Sequence, residues 1–159
     1  MPKSAPTSHD TYLPRSTVLV VDDNPQNVEL IQAYLESINC ATEVAVDGVD
    51  ALAKVPRMKP DLIILDVMMP RMSGFEVCRR LKADSKFRDI PILMVTALNE
   101  LGDIERGVES GTDDFLSKPL NKLELLTRVK SLLRVRHLKS QLERTLAYLS
   151  DIEAGDSQN

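Results

Sequence analysis

Asp66 ends the apolar run Ile63-Ile64-Leu65 and is followed by Val67-Met68-Met69-Pro70 and then Ser73-Gly74, which break the chain as a strand-to-helix loop requires. A short continuous apolar run fits a strand buried on both faces of a parallel sheet, and such strands present ligand groups from their carboxyl ends. Taken alone, Asp66 serves equally well as a cap for the next helix. Three further stretches bear on the choice. Thr17-Val18-Leu19-Val20-Val21 also runs into acid, at Asp22-Asp23, before Asn24-Pro25 opens a helix. Ile92-Leu93-Met94-Val95 ends in the hydroxyl of Thr96, and Asp113-Asp114-Phe115-Leu116-Ser117 ends in the ammonium of Lys118. If these runs are neighbouring parallel strands, two or three acids, a hydroxyl and a lysine share one rim. Acids so placed repel one another and call for a cation. Hard oxygen donors with no His or Cys nearby point to magnesium or calcium rather than zinc.

The elements that must position these groups follow from periodicity. Val28, Ile31, Leu35 and Ile38 recur at helical spacing and predict a helix over 25–38. A second strand is expected over 42–46, then a helix near 48–57 that buries Val49, Leu52 and Val55. Val77 and Leu81, with Phe75 or Cys78, form the apolar side of a helix at 74–83, and Pro91 starts the fourth strand. The helix expected over 99–110 has only Leu101, Ile104 and Val108 at apolar spacing, and such weak anchoring suits a mobile element. Leu125, Leu126, Val129, Leu132 and Leu133 make a fifth helix. Strands alternating with helices imply an α/β fold around a parallel sheet, because parallel neighbours need crossovers. Strand order cannot be read from the pattern.

In Asp22-Asp23, in Asp66 with Met69-Pro70 and Gly74, in Thr96-Ala97 and in Lys118-Pro119, the chain resembles the receiver domain of two-component response regulators. The resemblance covers about residues 16–135. From Asp66 to Lys118-Pro119 the wording is similar to receivers attached to cyclic-di-GMP enzymes. The resemblance implies a flavodoxin-like (βα)5 doubly wound sheet in the order 2-1-3-4-5, which places the first and third strands side by side. It further implies that Asp66 is the phosphoacceptor, loaded by a sensor histidine kinase or a phosphotransfer protein in a phosphorelay. Mg²⁺ is then held by Asp22, Asp23, Asp66 and the backbone carbonyl of Met68, while Lys118 and Thr96 meet phosphoryl oxygens and the Lys118-Pro119 bond is cis. Thr96 and Phe115 form the switch, reshaping the face of the fourth helix, fifth strand and fifth helix to control homodimerisation or a downstream effector. Phe115 also has a plainer reading as a core residue. Apolar Met68 and Leu98 at the rim are expected to hinder the hydrolytic water and prolong the phosphorylated state.

With 159 residues the chain has room for one domain plus appendages, and its composition is that of an ordinary globular protein. Cys40 and Cys78 lack Cys-x-x-Cys spacing, no secretory leader precedes them, and no apolar run reaches membrane-spanning length; a reduced cytoplasmic protein is expected. Residues 1–15, rich in Pro, Ser and Thr, read as a disordered lead, 16–135 as the receiver, 136–150 as a helical extension and 151–159 as a disordered tail. Val135, Leu138, Leu142, Leu149 and Ile152 fall on an approximate coiled-coil seam that Thr145 interrupts. Between Lys122 and Arg144 there are seven Lys or Arg against two Glu. No recognition motif accompanies this charge, so a solvated helix surface is favoured over nucleic-acid contact.

Two other classes compete. A haloacid-dehalogenase-like phosphatase also uses an aspartyl nucleophile, but its second Asp, two residues on, is here Met68. An unphosphorylated pseudo-receiver acting as a dimerisation scaffold has no need of Asp22, Asp23, Asp66, Thr96 and Lys118 together. The expected protein is therefore not an enzyme beyond Mg²⁺-dependent self-phosphorylation and self-dephosphorylation.

Overall fold

The structure is a computed structural model that describes residues 13–97 and 101–156. Five strands and five helices alternate: β1 Ser16–Val21, α1 Pro25–Leu35, β2 Cys40–Ala45, α2 Gly48–Met58, β3 Leu62–Asp66, α3 Gly74–Ala83, β4 Ile92–Thr96, α4 Leu101–Ser110, β5 Asp114–Ser117 and α5 Lys122–Asp156. The strands form one parallel sheet in the order β2-β1-β3-β4-β5, as the resemblance implied. Val20 is opposite Ile64, and Asp66 is opposite Val95, so β1, β3 and β4 bring their carboxyl ends to the same edge.

Side chains alternate across a strand, so each strand feeds two cores. Leu19, Ile63, Leu65, Ile92 and Met94 point to the layer covered by α2 and α3. Val18, Val20, Leu62, Ile64, Leu93 and Val95 point to the layer covered by α1 and α5. Burial on both faces is why β3 reads as an unbroken apolar run. Local signals set the helix starts: Asn24, Asp47 and Ser73 each accept a hydrogen bond from a backbone N–H in the first turn. Leu133 is the last fully buried residue of α5 in the second core. Truncating it leaves a cavity, so Leu133→Ala is expected to cost about 2–5 kcal/mol, read from the urea midpoint at unchanged m-value.

Several expectations need correction. Val49 is 63% exposed; Val55 is buried and Leu52 packs partly buried against the core as expected, but Gly48 and Ala51 take the place expected of Val49. Packing against α3 decides the phase, since a Cβ at Gly48 would lie 2.8 Å from Val77 Cγ2. Ile104 and Val108 of α4 are exposed, and the buried positions there are Gly107 and Ser110. The second strand begins earlier and stops at Ala45, leaving Val46 exposed. The first helix ends at Leu35, although Ile38 is still buried in the turn that follows. Residues 151–156, expected to be disordered, continue α5, because no Pro breaks a helix already nucleated on the body and its one glycine, Gly155, comes only at the last turn. Residues 1–12 and Leu98 lie outside the described residues, while Leu13 packs against the second core. Among the described residues no helix is long and apolar enough to cross a membrane.

Candidate functional site

Asp22 follows β1, Asp66 closes β3, and strand adjacency makes them neighbours. Carboxylate oxygens of Asp22, Asp23 and Asp66 lie within 4.8 Å of one another. Asp22 and Asp66 are buried, whereas Asp23 is exposed. The Asp22 side chain is oriented by the N–H of Asn24, which donates to Oδ1 at 2.9 Å. Lys118, from the loop after β5, approaches from the opposite side: its Nζ is 3.3 Å from Asp66 Oδ1 and 4.0 Å from Asp22 Oδ2. The N–H of Lys118 donates to the carbonyl of Thr96 at 2.9 Å, tying the ends of β4 and β5 together, and the Lys118–Pro119 peptide is cis. Thr96 is buried one residue beyond Val95, the partner of Asp66 in the register.

Charge dominates this arrangement. Three carboxylates face one ammonium, and burial pushes the Asp66 carboxyl above its ordinary value. The neighbouring Asp22 charge pushes it further, while Lys118 and the backbone N–H of Met68 pull it back. A partly buried all-oxygen donor set with excess negative charge fits a hard divalent cation such as Mg²⁺. The Met68 side chain is turned outward and is 60% exposed at the rim.

Two features of the site escaped the sequence reading of roles. Gly74 is a motif glycine whose contact is not legible in the sequence. A Cβ there would lie 2.3 Å from the Asp66 carbonyl oxygen, so the first turn of α3 can press on the end of β3 only without a side chain. The N–H of Gly74 also donates to Val67 O at 3.0 Å. Gly107 is the second. Phe115, half-buried on β5, lays its ring where a Gly107 Cβ would stand, 1.8 Å from Cζ. A glycine inside a helix that shows no turn signal is the available clue to such close approaches.

Comparison with known proteins agrees with this geometry. Residues 18–130 match the response regulator receiver domain family. The chain is 47% identical over 125 residues to the response regulator PleD of Caulobacter vibrioides, covering 79% of this chain and 28% of PleD. Across the curated relatives it matches, it spans between 28% and 52% of their length. Among solved structures, it resembles the signal receiver domain of a signal transduction histidine kinase from Syntrophus aciditrophicus, with 38% identity and a TM-score of 0.71 over 75% of this chain and 90% of that one. It also resembles the receiver domain of a sensor histidine kinase from Pseudomonas aeruginosa, whose structure has a magnesium ion coordinated in the active site cleft. There the identity is 30% and the TM-score 0.69, over 76% of this chain and 98% of that one. With the sheet order, the acidic rim and the lysine facing it in place, this chain belongs to the response regulator receiver domain family.

Proposed function

We propose that the chain is a cytoplasmic two-component receiver whose Asp66 accepts a phosphoryl group from a phosphohistidine on a sensor kinase or phosphotransfer protein. The observation that carries this reading is the 3.3 Å approach of Lys118 to an Asp66 carboxylate that shares its pocket with Asp22 and Asp23. An Asp66 Oδ forms the new P–O bond as the P–N bond to the donor imidazole breaks, and the freed imidazole nitrogen takes up a proton. Asp22, Asp23, Asp66 and the Met68 carbonyl are the groups assigned to Mg²⁺, which when bound supplies neutralising charge to the phosphoryl oxygens. Lys118 neutralises a phosphoryl oxygen as a compact point charge, and the Thr96 hydroxyl donates to another. Release reverses the charge change, with a water oxygen replacing the Asp66 oxygen on phosphorus. Met68 is the apolar residue at the rim of this pocket, so Met68→Asn is expected to shorten the phosphorylated lifetime, measured as loss of radiolabelled phosphate.

The new phosphoryl group carries about 1.5–2 negative charges and three strong acceptors, which draw Thr96 inward. Phe115 transmits that shift to α4, and the α4, β5 and α5 face passes it to a second copy, a partner or a neighbouring output domain. Exposed Ile104 and Val108 on α4 and Leu123 on α5 suit such a face. Gly107 is the seat on α4 for the Phe115 ring, which gives the switch a controlled test. Gly107→Ala and Gly102→Ala each raise helix propensity by about 1 kcal/mol, but a Cβ at Gly102 meets nothing within 4 Å. Beryllofluoride is therefore expected to shift the α4 and β5 amide resonances in Gly102→Ala as in wild type. In Gly107→Ala, where the ring is excluded, that response should collapse.

The test of the whole reading is incubation with Mg²⁺ and acetyl phosphate followed by intact-mass measurement. Wild type gains one phosphoryl group, and a gain that persists in Asp66→Asn overturns the assignment.

A further inference from the structure

Among the described residues, α5 changes character along its length. α5 is strapped to the body as far as Lys139: His137 Nε2 lies 2.8 Å from Ser16 Oγ, Arg136 Nε 3.9 Å from Asp61 Oδ1, and Lys139 Nζ 2.6 Å from Asp89 Oδ1. Every residue from 141 to 155 is then exposed, a helical stretch of about 22 Å at 1.5 Å per residue. A solvated helix should be polar on all sides. This one is not.

Val135, Leu142 and Leu149 occupy a positions of one heptad frame, and Leu138, Thr145 and Ile152 occupy the d positions. The five apolar members are 43–65% exposed, so the stripe is open to solvent over its whole length. Leu146 and Tyr148 flank it at e and g and widen it. The outer positions carry Glu143, Arg144, Ser150 and Asp151. Such a stripe is complementary to itself.

We propose that a second copy of this chain covers this stripe as a parallel, in-register two-stranded coiled coil, independently of phosphorylation. Two features select that occupant and orientation. The seam is short, but the nucleation cost that makes short helices marginal is already met by the part of α5 packed on the sheet. In the parallel pairing each layer meets its own kind, which confines Thr145 to one layer. Its hydroxyl is satisfied there, donating to Gln141 O at 2.9 Å. An antiparallel pairing sets Thr145 against Leu142 in two layers. The one like-charge pair of the parallel pairing, Lys139 at e facing Arg134 at g of the other helix, is a cost that Asp89 lessens by pairing with Lys139 on its own body.

The proposal rests on no step of the phosphoryl chemistry. Sedimentation equilibrium of the whole chain is expected to return the mass of two chains for wild type and for Asp66→Asn alike. The Leu142→Glu, Leu149→Glu double variant should return one chain, with unchanged far-UV circular dichroism because both sites are exposed. Thr145→Leu, which removes the polar layer, should tighten association several-fold. Thr145→Cys should form a disulfide-linked dimer on mild oxidation while wild type, with only its native Cys40 and Cys78, does not. A monomeric wild type, a dimer that survives the double substitution, or a Thr145→Cys dimer that does not cross-link overturns the proposal.

Discussion

Asp66→Asn is expected to abolish phosphoryl acceptance from acetyl phosphate while making the metal-free protein harder to melt. The two effects share one cause. Burial and the Asp22 carboxylate hold the Asp66 carboxyl above its ordinary value, so between the ordinary carboxylate range and that raised value the folded chain keeps a proton the unfolded chain has lost. Folding stability contributed by this group therefore falls as pH rises through that window, and above it the full cost of a buried, repelled charge remains. A neutral amide of the same shape removes that cost. In chelator at neutral pH the melting temperature of Asp66→Asn should exceed that of wild type, and the difference should vanish at acid pH where both carry an uncharged group. Adding Mg²⁺ should stabilise wild type more than the variant, because the variant offers one carboxylate fewer. A wild type that melts higher than Asp66→Asn in chelator at neutral pH would show that Lys118, 3.3 Å away, outweighs burial and Asp22.

Gly74→Ala is the other large effect, and it acts without touching a reactive atom. The backbone at Gly74 has no left-handed conformation to protect, so helix propensity alone favours alanine by up to about 1 kcal/mol. Space decides against it. The added methyl meets the Asp66 carbonyl oxygen at 2.3 Å and Val67 Cα at 2.9 Å, both backbone atoms at the end of a fully buried strand. Neither can turn aside as a flexible side chain would. Overpacking of this kind costs about 1–3 kcal/mol, and relief by moving β3 displaces the phosphoacceptor from Asp22, Asp23 and Lys118. A misplacement of about 1 Å is worth about a hundredfold in rate. Stopped-flow phosphorylation of Gly74→Ala should show that loss while chemical denaturation shows a folded domain. A variant with wild-type kinetics would mean that α3, and not the strand, absorbs the methyl.

Much of this site could be read from the linear chain because its parts announce themselves locally. Apolar runs of strand length each end in a group that packing alone does not require: acid at Asp22 and Asp66, hydroxyl at Thr96, ammonium at Lys118. Caps and prolines mark where helices begin, as at Asn24-Pro25 and Ser73. What could not be read was which of two overlapping stripes on a helix meets a neighbour. Val49 and Gly48 are neighbours in the chain, and only the approach of Val77 to Gly48 across the interface turns the face of Gly48 and Ala51 inward and leaves Val49 outside. The same holds for α4, where Ile104 and Val108 looked like the anchor and Gly107, with no side chain, proved to be the contact.

Periodicity and chemical type, then, are properties of neighbours along the chain, and from the sequence alone they determined the alternating elements, the reactive groups and the apolar seam of α5. Adjacency is a property of elements far apart in the chain. The placing of β1 beside β3, the 3.3 Å reach of Lys118 to Asp66, the glycines that admit a carbonyl and an aromatic ring, and the continuation of α5 to Asp156 belong to the tertiary structure. The physical reason is that excluded volume and electrostatic repulsion act through space, so their consequences exist only once the sheet has brought those atoms together.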